Sequence, residues 1–222
     1  MCGRYALTLP PDAMARLFEA RPGNDLPPLP DYNICPTNAV AAVWREETGR
    51  RLGAMRWGFL PHWYKTPTDG PLLINARAET VAEKPAFARA ARERRCLVPA
   101  SGFYEWTKDE SGARLPWYLA GPEGGMAFAG IWRDWTDGAE TIRSLAIVTC
   151  PASADIAHIH DRMPVILSPG DWALWLGEAG HGAARLMQPA PEGTLRAWRV
   201  DRKVNSNRAS GPKLIEPLEP ES

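Results

Sequence analysis

The chain has 222 residues, 45% hydrophobic and 23% charged, which are the proportions of an ordinary globular protein. It contains no apolar run of membrane-spanning length and no signal-peptide pattern, so we expect a cytoplasmic protein without a membrane partner. Four widely spaced cysteines without a C-x-x-C motif argue against a disulfide framework and a zinc knuckle. The formal net charge is zero, but nearly all the positive charge is arginine, so the composition permits a local nucleic-acid-binding face.

The N-terminal half predicts strands separated by proline-rich segments. A helix begins in the segment Thr8–Asp12, which carries two prolines, and runs to about Glu19. Residues 21–38 are rich in proline and predict an extended loop. The strands predicted in this half are Cys2–Leu7, Ala39–Trp44 and Arg51–Trp57.

The C-terminal half continues the β pattern and adds short helices. Pro85–Arg95 predicts an arginine-rich amphipathic helix, which we interpret as a solvated surface element in preference to a phosphate-binding one. Further helices are predicted at Ser153–His158 and from Ser168 to the stop at Gly177, and the tail is expected to pack through Leu214 and to fray after Pro217. The predicted strands are Arg95–Ala100, Ser101–Trp106, Trp117–Leu119, Met126–Trp132 and Thr141–Thr149.

No internal repeat or linker divides the sequence. We therefore predict a single α+β domain over residues 1–222 with many short strands, in which the residues after about 217 form a frayed tail.

The first residues carry an unusual chemical possibility. Removal of Met1 leaves Cys2 with a free α-amine and a thiol on one residue, whose ordinary pKa values are about 8 and about 8.5. Such an amine condenses with an aldehyde to an imine, on which the thiol closes a thiazolidine ring. Alternatively, the thiol attacks an amide with the α-amine as base. A third interpretation is a small buried residue at the start of a strand.

Three polar residues further along are weak candidates when each is taken alone. Asn75 ends an apolar run, and Glu105 stands among aromatic residues in a strand-like stretch, where it is either exposed at an edge or held with a perturbed pKa. Alternation along that strand places Glu105 on the face opposite Trp106. His158 and His160 form an H-x-H pair without a third ligand at a fitting spacing, so we expect no metal.

Taken together, the motifs are specific. They follow one another along the chain as Met1–Arg4, Tyr32–Thr37, Arg56–Gly58, Asn75–Glu79, Ser101–Trp106 and His160–Pro164. This order resembles the SRAP family, the SOS response-associated peptidases or abasic-site processing proteins, over roughly residues 2–216. The resemblance implies a barrel-like mixed-sheet core with peripheral helices. It also implies covalent capture of abasic sites in single-stranded DNA through a thiazolidine, self-removal of Met1 and weak lyase activity.

The resemblance assigns roles to four residues. Cys2 supplies both nucleophiles, and Asn75 holds the sugar or the Cys2 terminus in position. Glu105 binds and deprotonates the Cys2 α-amine, and His160 acts as acid and base on the sugar hydroxyls.

The expected DNA contacts adjoin these groups in sequence. They are Arg4, Arg77 and Arg162 for the phosphates and Trp57 for stacking or wedging beside the extruded site. We expect single-stranded DNA with abasic sites as the partner, no cofactor, a monomer, and association with the nucleoid if the protein is bacterial.

Two other functions remain open at this point. An N-terminal-nucleophile glutamine amidohydrolase also needs a mature Cys2, but it releases ammonia from glutamine. A non-catalytic module for single-stranded DNA would use arginines and tryptophans alone.

Overall fold

Strands dominate residues 2–121 and 125–218, the part of the chain that this computed structural model describes. The described strands are β1 (Tyr5–Leu7), β2 (Ala20–Pro22), β3 (Asp31–Ile34), β4 (Ala39–Glu46), β5 (Gly49–Trp57), β6 (Asn75–Arg77), β7 (Arg95–Ala100), β8 (Gly102–Lys108), β9 (Arg114–Ala120), β10 (Met126–Thr136), β11 (Thr141–Pro151), β12 (Arg162–Pro164), β13 (Ile166–Leu167) and β14 (Arg196–Arg199). The α-helices are short: α1 (Pro11–Leu17), α2 (Ala88–Glu93) and α3 (Trp172–Trp175). Further 3₁₀ turns cover Pro169–Asp171, Ala183–Leu186, Arg202–Asn205 and Pro212–Leu214.

Five strands close into a small barrel. Strands β5, β4, β7, β10 and β11 pair as antiparallel neighbours in that order. A parallel pairing of β11 with β5, in which Ser144 lies opposite Arg56, closes the ring. Strands β6 and β12 extend the barrel by pairing with the C-terminal part of β11. The predicted α+β class with a barrel-like mixed-sheet core is confirmed.

A second, antiparallel sheet lies beside the barrel, with the strand order β14-β9-β8-β1-β3. The chain passes from the barrel strand β7 into β8 at Ser101, whose hydroxyl accepts a hydrogen bond from the Thr8 amide at 2.9 Å. The next residue is Gly102, and a Cβ there would lie 2.3 Å from the Tyr118 ring and 2.7 Å from the Leu119 carbonyl oxygen. Only glycine lets β8 and β9 approach this closely.

One apolar core joins the two sheets, because β1 belongs to the second sheet but its Tyr5 and Leu7 side chains pack with those of the barrel strands. The buried Tyr5 ring packs edge-to-face on Trp57 at 5.3 Å and on Phe128 at 5.9 Å between centroids. Such pairs add about 0.5–1.5 kcal/mol beyond the area that they bury. The N-terminal strand is thus fixed between the two layers.

Most predicted elements are found with shifted ends. The predicted first helix becomes α1, and the helix predicted at Pro85–Arg95 is helical only as α2. The prediction of a helix at Ser153–His158 is wrong, since these residues form consecutive turns. The Ala152 amide bonds to the Asp161 carbonyl at 2.9 Å, which closes residues 152–161 into a loop.

Two predictions concern the ends of the chain. The predicted removal of Met1 falls outside the described residues, and the frayed tail predicted after Pro217 falls outside them from residue 219 onward. Before that point the tail packs through Leu214, which is 3% exposed, and the Leu218 amide bonds to the Arg199 carbonyl at 2.9 Å. In residues 2–121 and 125–218 no helix has the length and apolar character needed to cross a membrane.

The tight contact at Gly102 gives a stability prediction. Gly102→Ala is expected to lower the free energy of unfolding by about 1–3 kcal/mol, because the new methyl group overlaps backbone as well as side-chain atoms. Urea denaturation measures this change. Gly170→Ala is the matched control, since a Cβ there meets nothing within 4 Å and its effect should stay within about 0.5 kcal/mol. Equal midpoints for the two variants would contradict this account of the sheet junction.

Candidate active site

Cys2 lies at the centre of the candidate site, directly before β1, and none of its surface is exposed. The Asn75 side-chain amide donates a hydrogen bond to the Cys2 carbonyl oxygen at 2.9 Å. Asn75 is the first residue of β6, which the parallel pairing with β11 holds in register. The barrel therefore positions the amide, and the second sheet positions the cysteine.

Glu105 brings a buried carboxyl group to the same place. It lies in β8, the strand that pairs with β1, and is 3% exposed. Burial raises the pKa of Glu105, while the nearby His160 opposes that rise. Burial and the Glu105 charge together raise the pKa of the Cys2 thiol, so the thiol keeps its proton at neutral pH. The predicted alternation holds: Tyr104 and Trp106 pack in a separate cluster on the opposite face of β8.

His160 is oriented by the backbone that follows it. Its Nδ1 accepts a hydrogen bond from the Arg162 amide at 2.9 Å, so the neutral imidazole carries its proton on Nε2. That nitrogen lies 3.8 Å from Glu105 Oε2. Nδ1 is also 3.0 Å from Asp161 Oδ1, a contact that serves as a hydrogen bond only when the ring is protonated. Nδ1 of His160 thus has a hydrogen-bond partner in either charge state: the Arg162 amide when the ring is neutral and Asp161 when it is protonated.

The prediction that Arg162 contacts phosphate needs correction. Both terminal guanidinium nitrogens bond to the Glu79 carboxylate, and Nη2 also donates to the Thr149 carbonyl at 2.8 Å. The side chain is only 12% exposed, so its fork is occupied within the protein. Arg162 instead anchors the turn that orients His160. The Arg162 hydrogen bond lowers the pKa of Glu79 to about 2.

A cleft of about 360 Å³ opens over Glu105 and His160. Its rim is basic, and it contains Arg4 as predicted and also Lys108 and Arg114, which the sequence analysis missed. The Lys108 and Arg114 positions face each other across the β8–β9 pair, a proximity that only the strand register reveals. The remaining lining residues are Gly3, Trp106 and Thr107.

Arg4 is held in place at this rim. Its guanidinium donates to Asn33 Oδ1 at 2.7 Å and to the Val204 carbonyl at 3.0 Å. Arg114 stacks over the Trp106 ring, with its guanidinium carbon 4.5 Å from the ring centroid. The rim thus presents fixed cations beside an aromatic face, which suits a sugar–phosphate chain.

A second, apolar cleft of about 370 Å³ meets the site on its other side and is lined by Asn75, Arg77 and Trp63 among others. Arg77 is exposed there, as a phosphate contact requires. Trp57 is fully buried and donates its indole N–H to the Ile74 carbonyl, so the prediction that it contacts DNA is wrong. The exposed tryptophan is Trp63, with 48% of its surface accessible.

Comparison of the sequence with models of protein families identifies the family of this chain. The family model described as SOS response associated peptidase (SRAP) matches residues 1–207. This chain is a member of the SRAP family. Within the described residues no group of three or more His, Cys, Asp or Glu side chains is placed to hold a metal ion.

Relatives in two bacteria cover nearly the whole SRAP chain. The abasic site processing protein YoqW of Bacillus subtilis is 33% identical over 97% of this chain and 99% of its own length. The abasic site processing protein YedK of Escherichia coli is 30% identical over 98% of this chain and 100% of its own length. A crystal structure of a Bacteroides thetaiotaomicron protein shares the fold, with a TM-score of 0.85, 21% identity and 98% of this chain covered.

The Glu79–Arg162 ion pair predicts a pH-dependent stability. The Glu79 pKa is near 2 in the folded chain and about 4.3 in the unfolded one, so the pair stabilises the fold fully above about pH 4.3 and loses its contribution as pH falls towards 2. Glu79→Gln is therefore expected to unfold more easily than wild type at pH 7 and equally easily near pH 2. Glu110→Gln, at an exposed position, is the control. A pH-independent gap in urea midpoints would contradict the assignment.

Proposed function

We propose that this SRAP chain processes abasic sites in single-stranded DNA by covalent capture, after Met1 is removed and Cys2 becomes the N-terminus. The observation that carries the proposal is the hydrogen bond from Asn75 to the Cys2 carbonyl, in a chain where Cys2 is also close to the buried Glu105. Chain ends ordinarily fray. Here the future terminus is held beside an acid–base pair and under a basic cleft.

The reaction proceeds in two balanced steps. The Cys2 α-amine adds to the aldehyde carbon of the ring-opened sugar and water leaves, which forms a C=N bond. The Cys2 thiol then adds across that bond: sulfur bonds to carbon, and the thiol proton passes to nitrogen. The product is a five-membered thiazolidine that joins Cys2 to the DNA, with one water lost overall.

Glu105 acts as the proton acceptor for the first step. The α-ammonium of a mature Cys2 is unreactive until it loses a proton. A carboxylate whose pKa is raised by burial takes that proton more readily than an ordinary one does. After Glu105 has passed that proton to the departing water, it relays the thiol proton to the imine nitrogen as Cys2 attacks, since burial keeps the thiol protonated until then.

His160 and Asn75 serve the substrate. The Nε2–H of His160 faces Glu105 across 3.8 Å and is placed to donate a proton to the sugar oxygen as the ring opens. Asn75 fixes the Cys2 backbone, so the amine and thiol meet the aldehyde in one orientation. Arg4, Arg77 and Arg114 contact phosphates, and the exposed Trp63 takes the stacking role expected of Trp57.

The same groups account for the remaining activities of the proposal. The Cys2 thiol attacks the Met1 carbonyl while Glu105 takes the thiol proton and passes it to the Cys2 nitrogen, and the Met1–Cys2 C–N bond breaks to leave a thioester and a free α-amine. Water then hydrolyses the thioester, which releases methionine and restores the thiol. On the DNA, the imine acidifies the adjacent sugar carbon, and loss of that proton expels the 3′ phosphate. Weak lyase activity therefore accompanies capture whenever ring closure is slow.

Covalent capture is tested with a single-stranded oligonucleotide that carries one abasic site. Wild type is expected to give a heat-stable adduct on a denaturing gel, with an intact mass that lacks Met1 and equals protein plus DNA minus one water. Cys2→Ala should abolish the adduct and keep DNA binding by fluorescence anisotropy. Cys35→Ser is the control, because this partly exposed thiol lies outside the site and its loss should leave capture unchanged.

Three results would reject the proposal. A normal adduct from Cys2→Ala would remove Cys2 from the chemistry. Loss of DNA binding together with the adduct would make Cys2 a structural residue. Absence of an adduct from wild type that lacks Met1, together with release of ammonia from glutamine, would identify the amidohydrolase instead.

The role of Glu105 predicts a change in the pH profile. Wild-type capture should accelerate as pH rises through the raised Glu105 pKa, above the usual value of about 4.3, because only the carboxylate accepts a proton. Glu105→Gln should slow capture by about 10²–10⁴-fold and lose this acidic limb. Single-turnover rates from pH 4 to pH 9, in buffers of constant ionic strength, measure both effects. An unchanged profile would mean that another group accepts the proton.

A further inference from the structure

Helix α2 carries a row of arginines on the surface beside the site. Arg89 and Arg94 line a cleft of about 480 Å³, and Arg92 and Arg94 line a neighbouring cleft of about 770 Å³. Arg133, from β10, faces the first of these two clefts. We call Arg89, Arg92, Arg94 and Arg133 the arginine track.

The track is continuous with the candidate active site. The apolar cleft beside Asn75 shares Pro85 and Ala86 with the 480 Å³ cleft. That cleft in turn shares Arg94 and Trp132 with the 770 Å³ cleft. A surface path therefore leads from Asn75, past the N-terminus of α2, to the far side of the helix.

The Trp132 ring lies under this path and packs against two guanidinium groups. The Arg94 guanidinium stacks on its ring at 4.6 Å, and that of Arg143 stacks at 4.8 Å. A guanidinium held flat on an indole keeps its N–H edge free for oxygen acceptors and loses little freedom on binding. The Arg94 side chain is 49% exposed, so that edge is reachable.

The positive charge of the track is only partly neutralised. Asp134 pairs with Arg94 at 3.7 Å, and Glu93 pairs with Arg89 at 2.9 Å. Arg133 lies near other cations: burial lowers its pKa, and the charges of Arg89 and Arg94 lower it further. Mutual repulsion of this kind is relieved by a bound polyanion.

We propose that the arginine track binds the phosphodiester backbone of single-stranded DNA beyond the nucleotides that occupy the active-site cleft. This inference rests on the proposed function, because the DNA strand that enters the track is the strand that carries the captured abasic site. The track holds a flanking part of the strand and takes no part in the chemistry. Its contribution therefore depends on strand length, whereas capture itself does not.

Binding of unmodified single-stranded DNA tests the track without involving Cys2 chemistry. Fluorescence anisotropy compares strands of about 5 and about 20 nucleotides, a range that brackets common single-strand site sizes. Arg89→Ala/Arg92→Ala is expected to weaken binding of the long strand and leave the short one unchanged. The slope of log affinity against log salt for the long strand should fall by about 0.7 for each lost phosphate contact.

Two matched variants complete the design. Arg16→Ala/Arg185→Ala removes the same charge from exposed arginines outside the track and should bind both strands as wild type does. Arg89→Lys/Arg92→Lys keeps the charge and should restore most of the long-strand affinity. Thermal unfolding of each variant checks that the fold is intact.

Length-dependent loss with lysine rescue would support the track. The track would be overturned if Arg89→Ala/Arg92→Ala lost the same affinity for both strands, or if the control variant Arg16→Ala/Arg185→Ala lost as much affinity. It would also be overturned if Arg89→Ala/Arg92→Ala bound the long strand as tightly as wild type does. The adduct assay separates this result from the proposed function. If wild type captures the abasic site normally but the effect of Arg89→Ala/Arg92→Ala on binding does not depend on strand length, only the track is rejected. If wild type forms no adduct but that effect does depend on strand length, only the covalent chemistry is rejected.

Discussion

The structure depends on fixing the segment that begins at Cys2 in the interior of the protein. A residue at position 2 would ordinarily lie in the most mobile part of a domain. Here β1 pairs with β3 on one side and β8 on the other, and the Tyr5 side chain packs into the barrel core. The bond from Asn75 then locks the Cys2 carbonyl to the barrel. The contacts that hold the two sheets together are therefore also the contacts that position the candidate site.

Burial of the site sets its proton distribution. Desolvation raises the pKa of both the Cys2 thiol and the Glu105 carboxyl, so neither is charged as readily as in water. His160 offsets this for Glu105, and its own orientation comes from the backbone amide of Arg162. The Glu79–Arg162 pair fixes that backbone from outside the cleft. The orientation of His160 thus depends on a chain of contacts that begins at the Glu79–Arg162 ion pair.

Sequence reasoning selected Cys2 for its aminothiol chemistry, whereas Asn75, Glu105 and His160 were weak candidates singly and were selected through the ordered motifs of the family resemblance. The structure brings these residues together: Asn75 bonds to Cys2, and His160 lies 3.8 Å from Glu105. Sequence reasoning selected the buried Trp57 and not the exposed Trp63, because exposure depends on how the sheets stack and cannot be read from adjacency in sequence. Arg162 was misread for a similar reason, since its partner Glu79 lies 83 residues away. Residue types indicate which chemistry is possible, whereas tertiary contacts decide which residues of a given type are accessible to take part in it.

The arginines illustrate why a net charge of zero carries little information about binding. The chain balances 26 basic against 26 acidic residues, yet the cleft rim and the surface of α2 are locally basic. Screening restricts exposed charges to a range of about 8–10 Å at moderate salt, so a strand on this surface responds to the nearby arginines and not to distant carboxylates. Neutrality of the whole also limits long-range attraction to other polyanions. Under the two proposals made above, discrimination falls to the site that recognises the aldehyde, and affinity to the arginine track that holds the flanking backbone.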